Sequence, residues 1–242
     1  MYDVIAENYS KIFPLDPKRV SFVSSLINTS SASILDVGCA TGDLSIALAK
    51  KGHHMVGIDL NQKMIKIAKH RQGELQKDVR DRVEFLVTNM MDVDELGTFD
   101  AVVCFGNTLP HLSSLNQIRT FFEKVFNALD ANSSFVLQVL NYHKVLREGE
   151  KNFPVVDRED FTFKRTYENI SPDSLEFNIT VVDKNSGETH GDKTILFPVL
   201  HEDIVESLKA VGFAEANAYK DYAKSPSDLK EFATLYVASK GP

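Results

Sequence analysis

The most constraining feature of this sequence is an alternation of short apolar runs with stretches of helical periodicity, which begins at Ser33 and continues to Leu140. Strands that alternate with helices predict βαβ units and a parallel sheet. The runs are continuously apolar, which is typical of strands that are covered on both faces. We therefore predict an α/β fold. The predicted strands span residues 34–37, 55–58, 83–87, 99–105 and 135–140, and the helices between them span residues 44–49, 64–75 and 115–129.

The two ends of the chain follow other patterns. The first thirty residues predict two helices, and the second begins at Pro17, a residue suited to a first helical turn. After Leu140 apolar and polar residues alternate in three segments, which predict an antiparallel insertion. The alternating segments are residues 161–167, 175–183 and 189–197, and turn-forming residues separate them at 171–173 and 185–187.

The remaining elements follow the predicted insertion. Residues 201–211 predict a helix that ends at Gly212, and strands are expected near residues 214–219 and 234–238. No internal repeat and no low-complexity tract interrupts the sequence.

Charge and composition argue against several classes of protein. The 242 residues carry 27 Lys and Arg against 34 Asp and Glu, a formal net charge of −7, which argues against a protein that coats nucleic acid. No apolar run approaches the ~18 to 20 residues of a bilayer-spanning helix, and residues 1–16 lack the apolar core of a signal peptide. The two cysteines, Cys39 and Cys104, provide no disulfide framework and no zinc-ligand spacing. We expect a cytoplasmic protein.

Residues 34–43 end a predicted strand with a glycine-containing turn and open a helix. Such a turn lets the backbone approach a ligand, and the helix amino terminus presents free N–H groups. A nicotinamide or flavin site would seat a pyrophosphate there with the pattern G-x-G-x-x-G. Here Gly38, Ala40 and Gly42 follow Asp36, and no third glycine is in register. The early carboxylate favours a cofactor that carries an ammonium, while a nicotinamide site and a simple tight turn stay open as alternatives.

A second carboxylate, Asp59, stands at the end of the second predicted strand. A carboxylate at this place can accept hydrogen bonds from both hydroxyls of a ribose. Asp59 could instead serve only as a helix cap, but Asn61 would supply that cap equally well. The two segments together are more specific than either segment alone.

On these segments the chain resembles the class I S-adenosylmethionine-dependent methyltransferases, over about residues 5–140. Residues 34–42 resemble the first motif of that family, and residues 56–61 resemble its ribose-binding acidic motif. Residues 83–92 resemble the third-strand motif, and residues 99–112 resemble the fourth-strand segment of the small-molecule branch. The resemblance implies a doubly wound seven-stranded Rossmann-like methyltransferase sheet whose last strand is antiparallel, with the antiparallel β insertion after strand five.

The resemblance also implies a single methyltransferase domain over residues 1–242. N-terminal helices in residues 1–30 would close over the cofactor, and residues 31–148 would form the cofactor-binding core. The antiparallel insertion, residues 149–200, would shape the acceptor pocket, and residues 201–242 would supply the closing helix and the last strands.

The cofactor implied by the resemblance is S-adenosylmethionine. The third-strand motif usually ends in an acidic residue that contacts adenine, but here Asn89 takes that place and Asp92 follows, so either side chain could make the contact. Tyr9 lies in a segment that resembles the aromatic-bearing first helix of the family. No metal site is expected, because the histidines show no metal-ligand spacing. The residues assigned to the cofactor are Tyr9, Asp36, Gly38, Ala40, Thr41, Gly42, Asp59, Leu60, Met64, Asn89, Met90 and Phe105.

The acceptor is expected to be a small molecule rather than a nucleic acid or a membrane, and the oligomeric state is not predicted. Residues 107–110 lack the Pro-Pro and aromatic pattern with which nucleic-acid methyltransferases commonly clamp a flipped base. The pair Asn141-Tyr142 resembles the glycine and sarcosine N-methyltransferases, in which the Asn helps to hold the carboxylate of the substrate. Such a carboxylate would also favour a cation, and Arg158 and Arg165 are candidates.

His111 follows the fourth predicted strand near the expected position of the methyl group. Methyl transfer from a sulfonium is an in-line displacement in which the protein mainly aligns the reactants. A neutral amine needs no base during attack, whereas an alcohol usually needs one, so we predict N-methylation of a small amine or amino acid. A small-molecule O-methyltransferase and a non-catalytic S-adenosylmethionine-binding protein are the alternatives. The catalytic candidates are His111, Asn107, Tyr9 and Asn141.

Overall fold

The computed structural model describes residues 2–27, 29–149 and 153–242. Within these residues the chain forms two β-sheets with helices around the larger one. The strands are β1 (Ser33–Val37), β2 (His54–Asp59), β3 (Val83–Val87), β4 (Phe99–Cys104), β5 (Leu129–Leu140), β6 (Val156–Asp157), β7 (Phe161–Glu168), β8 (Leu175–Asp183), β9 (Thr189–Leu196), β10 (Glu215–Tyr219) and β11 (Ala233–Ser239).

The helices have the following bounds. The α-helices are α1 (Tyr9–Ile12), α2 (Pro17–Ser24), α3 (Asp43–Ala49), α4 (Gln62–Gly73), α5 (Lys77–Arg80), α6 (Leu115–Asn127), α7 (Tyr142–Glu148) and α8 (His201–Val211), and 3-10 helices span Asp3–Asn8, Met90–Glu95 and Leu109–His111. Among the described residues, no helix combines the length and the apolar character that crossing a lipid bilayer requires.

The larger sheet has seven strands in the order β10-β11-β5-β4-β1-β2-β3. Strands β1 to β5 run parallel to one another, and β11 lies between β5 and β10 and is antiparallel to both. This arrangement confirms the predicted doubly wound sheet with an antiparallel last strand. The strand order reverses at β1, whose two neighbours are β2 and β4, and ligands of open α/β sheets bind outside the carboxyl ends of the strands at such a point.

The central strands of this sheet are buried on both faces, as their continuous apolar runs predict. Ile34 and Leu35 point to opposite faces of β1, and both are fully buried. One face is packed by α6, where the ring of Phe122 lies edge-on to Phe135 of β5 with 5.8 Å between the centroids. The closed core holds the strand ends, and therefore the side chains at those ends, in fixed positions.

The smaller sheet is the antiparallel insertion, with the order β6-β7-β8-β9, and it confirms the insertion predicted after strand five. Alternate residues of β7 and β8 are buried. On β7 the ring of Phe163 meets the ring of Phe13 edge-on with 5.7 Å between their centroids. At the other end of the sheet, the amide of Phe197 donates to the carbonyl oxygen of Pro110 over 2.8 Å. The insertion thus packs against the N-terminal residues and the loop that follows β4.

Some elements differ from the prediction. The first predicted helix is a 3-10 helix over Asp3–Asn8 that continues into α1. Strand β5 begins at Leu129, six residues before the predicted run, because residues 130–132 are exposed and form no apolar run. Helices α5 and α7 and strand β6 are short and were not predicted. The predicted insertion segment, 149–200, includes residues 150–152, which lie outside the described residues.

Candidate active site

A cavity of about 820 Å³ opens at the carboxyl ends of β1, β2 and β4. The N-terminal segment, which we define as residues 2–15, contributes to the lining, and the insertion contributes Arg165 and Tyr167. The volume lies within the range of ~300 to 1,000 Å³ that is typical of small-molecule sites. The cavity can therefore hold an organic cofactor, and the insertion extends it beyond the strand ends.

Two glycines shape the turn between β1 and α3. Gly38 and Gly42 have φ angles of +75° and +81°, in the left-handed region that favours glycine. A Cβ on Gly38 would lie 2.5 Å from Oγ1 of Thr108, and a Cβ on Gly42 would collide with the ring of Phe85. Both glycines therefore make room for neighbouring parts of the protein, and Gly38 also lines the cavity. This packing role adds to the close ligand approach that the sequence motif predicts.

Asp36 of β1 is a buried carboxylate at the floor of the cavity, with 3% of its surface exposed. Ser45 Oγ donates to Asp36 Oδ2 over 2.7 Å. Burial raises the pKa of Asp36 to about 6, although the Ser45 hydrogen bond and the charge of Arg19 oppose the rise. A positively charged ligand group near Asp36 would restore its ionised form.

Asp59, the last residue of β2, is held by two backbone amides. Ala40 N donates to Asp59 Oδ2 over 3.0 Å, and Asn61 N donates to Asp59 Oδ1 over 2.8 Å. Burial raises the pKa of this carboxyl group, and the two amide hydrogen bonds oppose the rise. Each carboxylate oxygen has a second lone pair, so the side chain can also accept hydrogen bonds from a ligand in the cavity.

Asn89 follows β3 and lines the cavity, whereas Asp92 is not among the cavity-lining residues that the structure describes. The Oδ1 atom of Asn89 accepts from the amide of Met91 over 3.0 Å and so caps the 3-10 helix Met90–Glu95. Of the two candidates for the adenine contact, the structure therefore brings only Asn89 to the cavity.

His111 is paired with Tyr2 of the N-terminal segment. Tyr2 Oη and His111 Nε2 lie 2.9 Å apart, and the two rings meet edge-on. Burial lowers the pKa of His111 to about 4 and raises the pKa of Tyr2 far above its usual range. At neutral pH the imidazole is therefore uncharged and the phenol keeps its proton. The hydrogen bond between the two side chains therefore engages Nε2 in either neutral tautomer of the imidazole.

Asn107 joins the exits of β4 and β5. It has a φ angle of +67°, its Oδ1 atom accepts from the amide of Leu140 over 3.1 Å, and its Nδ2 atom donates to Tyr142 Oη over 2.9 Å. Asn107 lines the cavity, but both ends of its amide bind other parts of the protein. Its hydrogen bonds fix the shape of the cavity wall.

Asn141 lies at the end of β5, outside the cavity lining that the structure describes. Its Oδ1 atom caps α7 by accepting from the amide of Lys144 over 3.3 Å. Its Nδ2 atom donates to the carbonyl oxygens of Leu229 and Glu231 over 2.6 and 3.3 Å. The structure therefore does not bring this side chain to the position that the predicted carboxylate contact requires.

Thr41 and Gly42 also lie outside the described cavity lining. The hydroxyl of Thr41 donates to Asp43 Oδ2 over 3.0 Å, and it lies 3.1 Å from Oγ of Ser10. Their backbone still shapes the turn that carries Gly38 and Ala40. The predicted site residues that do line the cavity are Tyr9, Asp36, Gly38, Ala40, Asp59, Leu60, Met64, Asn89, Met90, Phe105, Asn107 and His111.

Several cavity-lining residues that carry polar groups were not assigned a role from the sequence, and three of them are large side chains that reach into the lining from outside the strand ends. Arg19 extends from α2 to the cavity, where its guanidinium carbon lies 5.0 Å from the ring centroid of Phe105. Tyr2 and Tyr167 are the others. No local motif marks them, because each reaches the site through the path of the folded chain. Among the described residues, no group of three His, Cys, Asp or Glu side chains is placed to hold a metal ion.

Comparison with known proteins places this geometry in a family. Residues 34–132 match the family model described as a methyltransferase domain. The chain therefore contains a methyltransferase domain. A protein of Geobacillus sp. (strain WCH70), named as a methyltransferase, is 26% identical over 212 residues, which cover 86% of this chain and 84% of the relative. An enzyme named ubiquinone biosynthesis O-methyltransferase, from Xylella fastidiosa (strain M23), is 36% identical over 92 residues, which cover 37% of this chain and 36% of the relative.

Solved structures share the fold of this methyltransferase over its whole length. An S-adenosylmethionine-dependent methyltransferase from Clostridium acetobutylicum matches with a TM-score of 0.81 at 17% identity and covers 100% of this chain and 99% of its own. The sugar N-methyltransferase KedS8 from Streptoalloteichus sp. matches with a TM-score of 0.74 at 19% identity and covers 100% of this chain and 93% of its own.

The residues at the strand ends of this methyltransferase fit S-adenosylmethionine chemically. The cofactor carries a ribose diol, an ammonium and a carboxylate, and the cavity offers the carboxylates of Asp59 and Asp36 and the guanidinium of Arg19. Leu60 is 69% exposed and lies beside Met64 in the cavity lining, where these residues offer apolar surface to a planar base. The cavity therefore offers carboxylates for the ammonium and the diol, a guanidinium for the carboxylate, and apolar side chains for the base.

Proposed function

We propose that this methyltransferase transfers the methyl group of S-adenosylmethionine to the nitrogen of a small-molecule amine. The observation that carries this proposal is that His111 is buried and hydrogen-bonded to Tyr2. It is the only histidine among the described cavity-lining residues, and its Nε2 atom is already engaged in a hydrogen bond with Tyr2. With a pKa of about 4, it is a weak base at neutral pH.

A general base works best when its pKa lies near the working pH, and it typically contributes ~10² to 10⁴ in rate. The buried carboxylates do not replace His111 in this role, because we assign both of them to the bound cofactor, Asp59 to its ribose hydroxyls and Asp36 to its ammonium. An alcohol would meet no group suited to remove its proton. A neutral amine attacks with its own lone pair and needs no base, so it suits this cavity better.

We assign the cofactor contacts as follows. Asp59 accepts from the ribose hydroxyls, Asp36 faces the ammonium, Arg19 binds the carboxylate, and Asn89 contacts the adenine. The bound cofactor supplies an activated methyl group on a sulfonium. The protein contributes binding, orientation and the exclusion of water.

The N-terminal segment supports this assignment, because its packing closes one side of the cavity. Tyr9 lines the cavity, and its ring packs against Phe13 with 5.1 Å between the centroids. Burial raises the pKa of Tyr9 beyond its usual range, so the phenol stays protonated and can only donate or accept a hydrogen bond. We therefore assign Tyr9 and Tyr2 to positioning the reactants.

The proposal is tested with His111→Asn, which keeps a polar side chain of similar size. Turnover with an amine acceptor should fall by less than ~10², because no base is lost. Single-turnover rates between pH 6 and 9 should follow the protonation of the acceptor amine in both proteins. The matched control is His190→Asn, since His190 is exposed at the edge strand β9.

Acceptors are screened in amine and alcohol pairs of the same skeleton. Methylation of the amine and not of the alcohol supports the proposal. Methylation confined to the alcohol, with a loss well above ~10² in His111→Asn, would instead identify an O-methyltransferase with His111 as its base. Binding of S-adenosylmethionine without turnover on any acceptor would indicate a protein that binds the cofactor without catalysis.

A further inference from the structure

Arg165 occupies an unusual place on strand β7 of the insertion. Residues on one face of a strand recur every second position, and Phe161, Phe163 and Tyr167 of this face are all buried. Arg165 belongs to the same face, and its cross-strand neighbour on β8 is the buried Ile179. A cation therefore stands in a row of apolar and aromatic side chains that faces the interior.

The guanidinium of Arg165 is covered by two aromatic rings. Its central carbon lies 4.5 Å from the ring centroid of Phe153 and 5.1 Å from that of Phe13. Aromatic rings offer this cation no hydrogen-bond acceptor of the carboxylate kind, so its N–H donors stay available to other partners. The residue lines the cavity of about 820 Å³.

Within the part of the chain that the structure describes, Arg165 has no ion-pair partner, and its buried Nε atom has no hydrogen-bond partner. The two aspartates that flank the turn between β6 and β7 have other partners, since Asp160 pairs with Lys11 and Asp157 pairs with Lys184. Burial lowers the pKa of Arg165 from its usual value. A desolvated cation without a counterion is costly, and arginine stays charged at any physiological pH.

We propose that Arg165 binds a carboxylate of the methyl acceptor, so that the substrate is an amine that also carries a carboxylate and an apolar, ring-sized body. This inference rests on the proposed function, since it names the substrate class of the same cavity. The acceptor then brings the counterion that the protein lacks, and binding pairs two charges that are shielded from water.

A carboxylate fits better than a phosphate because of the charge balance of the cavity. The other arginine in the described lining, Arg19, stands near the carboxylates Asp36 and Asp59. One guanidinium neutralises the single charge of a carboxylate in a two-pronged pair. A phosphate ester, with a charge of about −1.5 to −2 at neutral pH, would leave buried negative charge without a partner.

The apolar body is inferred from the side chains around Arg165. The ring of Phe153 meets Tyr167 edge-on at 4.9 Å and Phe232 edge-on at 5.9 Å, and Tyr167 meets Phe177 edge-on at 5.6 Å. All four rings line the cavity. Aromatic walls gain most from contact with another apolar or aromatic surface, so an acceptor of this size and character fits them better than a polyhydroxylated one.

The experiment measures binding rather than turnover. Calorimetry on protein loaded with S-adenosylhomocysteine compares benzoate with benzamide, two probes of the same shape that differ in charge. We expect wild type to bind benzoate at least ~10-fold more tightly, the scale of a charge-assisted hydrogen bond. Arg165→Gln should reduce this preference to about twofold or less, and Arg165→Lys should keep part of it, because a lysine keeps the charge but loses the two-pronged geometry.

The matched control is Arg158→Gln. Arg158 lies in the same insertion but is exposed, and it bonds to the backbone carbonyls of Lys11 and Asp157, so its replacement should leave the preference for benzoate intact. Unchanged melting temperature and S-adenosylhomocysteine affinity in the Arg165 variants show that they are folded. Equal affinity of wild type for both probes, or a preference that survives Arg165→Gln, overturns the proposal.

The outcomes separate this inference from the proposed function. Absence of a carboxylate preference in the wild type, together with N-methylation of neutral amines, contradicts the role of Arg165 and leaves the amine assignment standing. Tight benzoate binding that depends on Arg165, together with methylation of alcohols only, contradicts the amine assignment and leaves the carboxylate site standing.

Discussion

At the scale of single residues, two carboxylates near the ends of β1 and β2 are buried but are compensated by different hydrogen-bond partners. Asp36 and Asp59 are both desolvated, and burial raises the pKa of each. Asp59 is compensated by two backbone amides, whereas Asp36 has the hydroxyl of Ser45. A cofactor that brings an ammonium and a diol would supply the missing partners, so both residues are expected to act differently with and without it.

Asp59→Ala should weaken S-adenosylhomocysteine binding by at least ~10-fold, because hydrogen bonds to a charged group contribute about 1.5 to 3 kcal/mol each. Titration calorimetry checks this, with circular dichroism to show that the variant is folded. The matched control is Asp130→Asn, an exposed aspartate of β5. An affinity equal to that of wild type would contradict the assignment of Asp59 to the ribose hydroxyls.

Asp36→Asn should stabilise the cofactor-free protein at neutral pH. The carboxyl group has a pKa of about 6 in the folded protein against 3.8 ordinarily, so the folded state binds more protons between those values. The contribution of Asp36 to the free energy of unfolding therefore rises as pH falls from 7 to 4. At pH 7 the variant should gain about 1 to 3 kcal/mol, and this gain should vanish near pH 4.

Urea unfolding at pH 7 and pH 4 measures that difference between the variant and wild type. The same substitution should weaken cofactor binding, because the ammonium loses its counter-charge. A variant that is less stable than wild type at pH 7 would contradict the assigned cost of burying Asp36.

At the scale of elements, the N-terminal segment is held to the cofactor loop by a compact polar cluster. Ser10 Oγ of α1 donates to Asp43 Oδ2 over 2.6 Å, and Arg71 of α4 pairs with Asp43 Oδ1 over 2.7 Å. Arg71 also donates to the carbonyl oxygen of Thr41 over 2.7 Å. These side chains join three elements around one edge of the cavity, and the segment must move away from that edge if the cofactor enters there.

Ser10→Ala should speed the release of S-adenosylhomocysteine about 5- to 30-fold, because it removes a half-exposed hydrogen bond to a charged group worth about 1 to 2 kcal/mol. Stopped-flow displacement measures the dissociation rate. Ser21→Ala, which alters an exposed serine of α2, serves as the control. Equal release rates in all three proteins would show that the cluster does not hold the segment closed.

At the scale of the whole molecule, the cavity lies between parts of the chain that are distant in sequence. The first fifteen residues, the strand ends of the large sheet and the insertion all contribute to its lining. A ligand that bridges these parts stabilises the folded state as a unit, and the gain grows with its concentration above the dissociation constant.

S-adenosylhomocysteine at 100 times its dissociation constant should therefore stabilise the protein by about 2.7 kcal/mol. For a chain of this size that corresponds to a rise of about 5 to 10 °C in the melting temperature. Differential scanning fluorimetry measures the shift, and NAD at the same concentration is the control. A larger shift with NAD would contradict the cofactor assignment.

The strand and helix pattern follows from the sequence alone. A continuous apolar run such as residues 101–105 is buried on both faces of a strand, which requires a sheet with helices on either side. The turn after β1, with Asp36 and Gly38, and the end of β2, with Asp59, are local in sequence and need no knowledge of distant contacts. Those segments therefore predicted a parallel sheet, and their resemblance to a known family implied the seven strands and the cofactor.

Only the tertiary structure decided which side chains line the part of the cavity that we assign to the methyl acceptor. Asn141 follows a strand as the motif requires, but its side-chain amide is already hydrogen-bonded. Its oxygen caps α7, and its nitrogen donates to the carbonyl oxygens of Leu229 and Glu231. Arg165 and Tyr2 reach the cavity through the packing of the insertion and the N-terminal segment. No local pattern records which side chains meet there, because burial and the absence of a partner are properties of contacts between residues far apart in the chain.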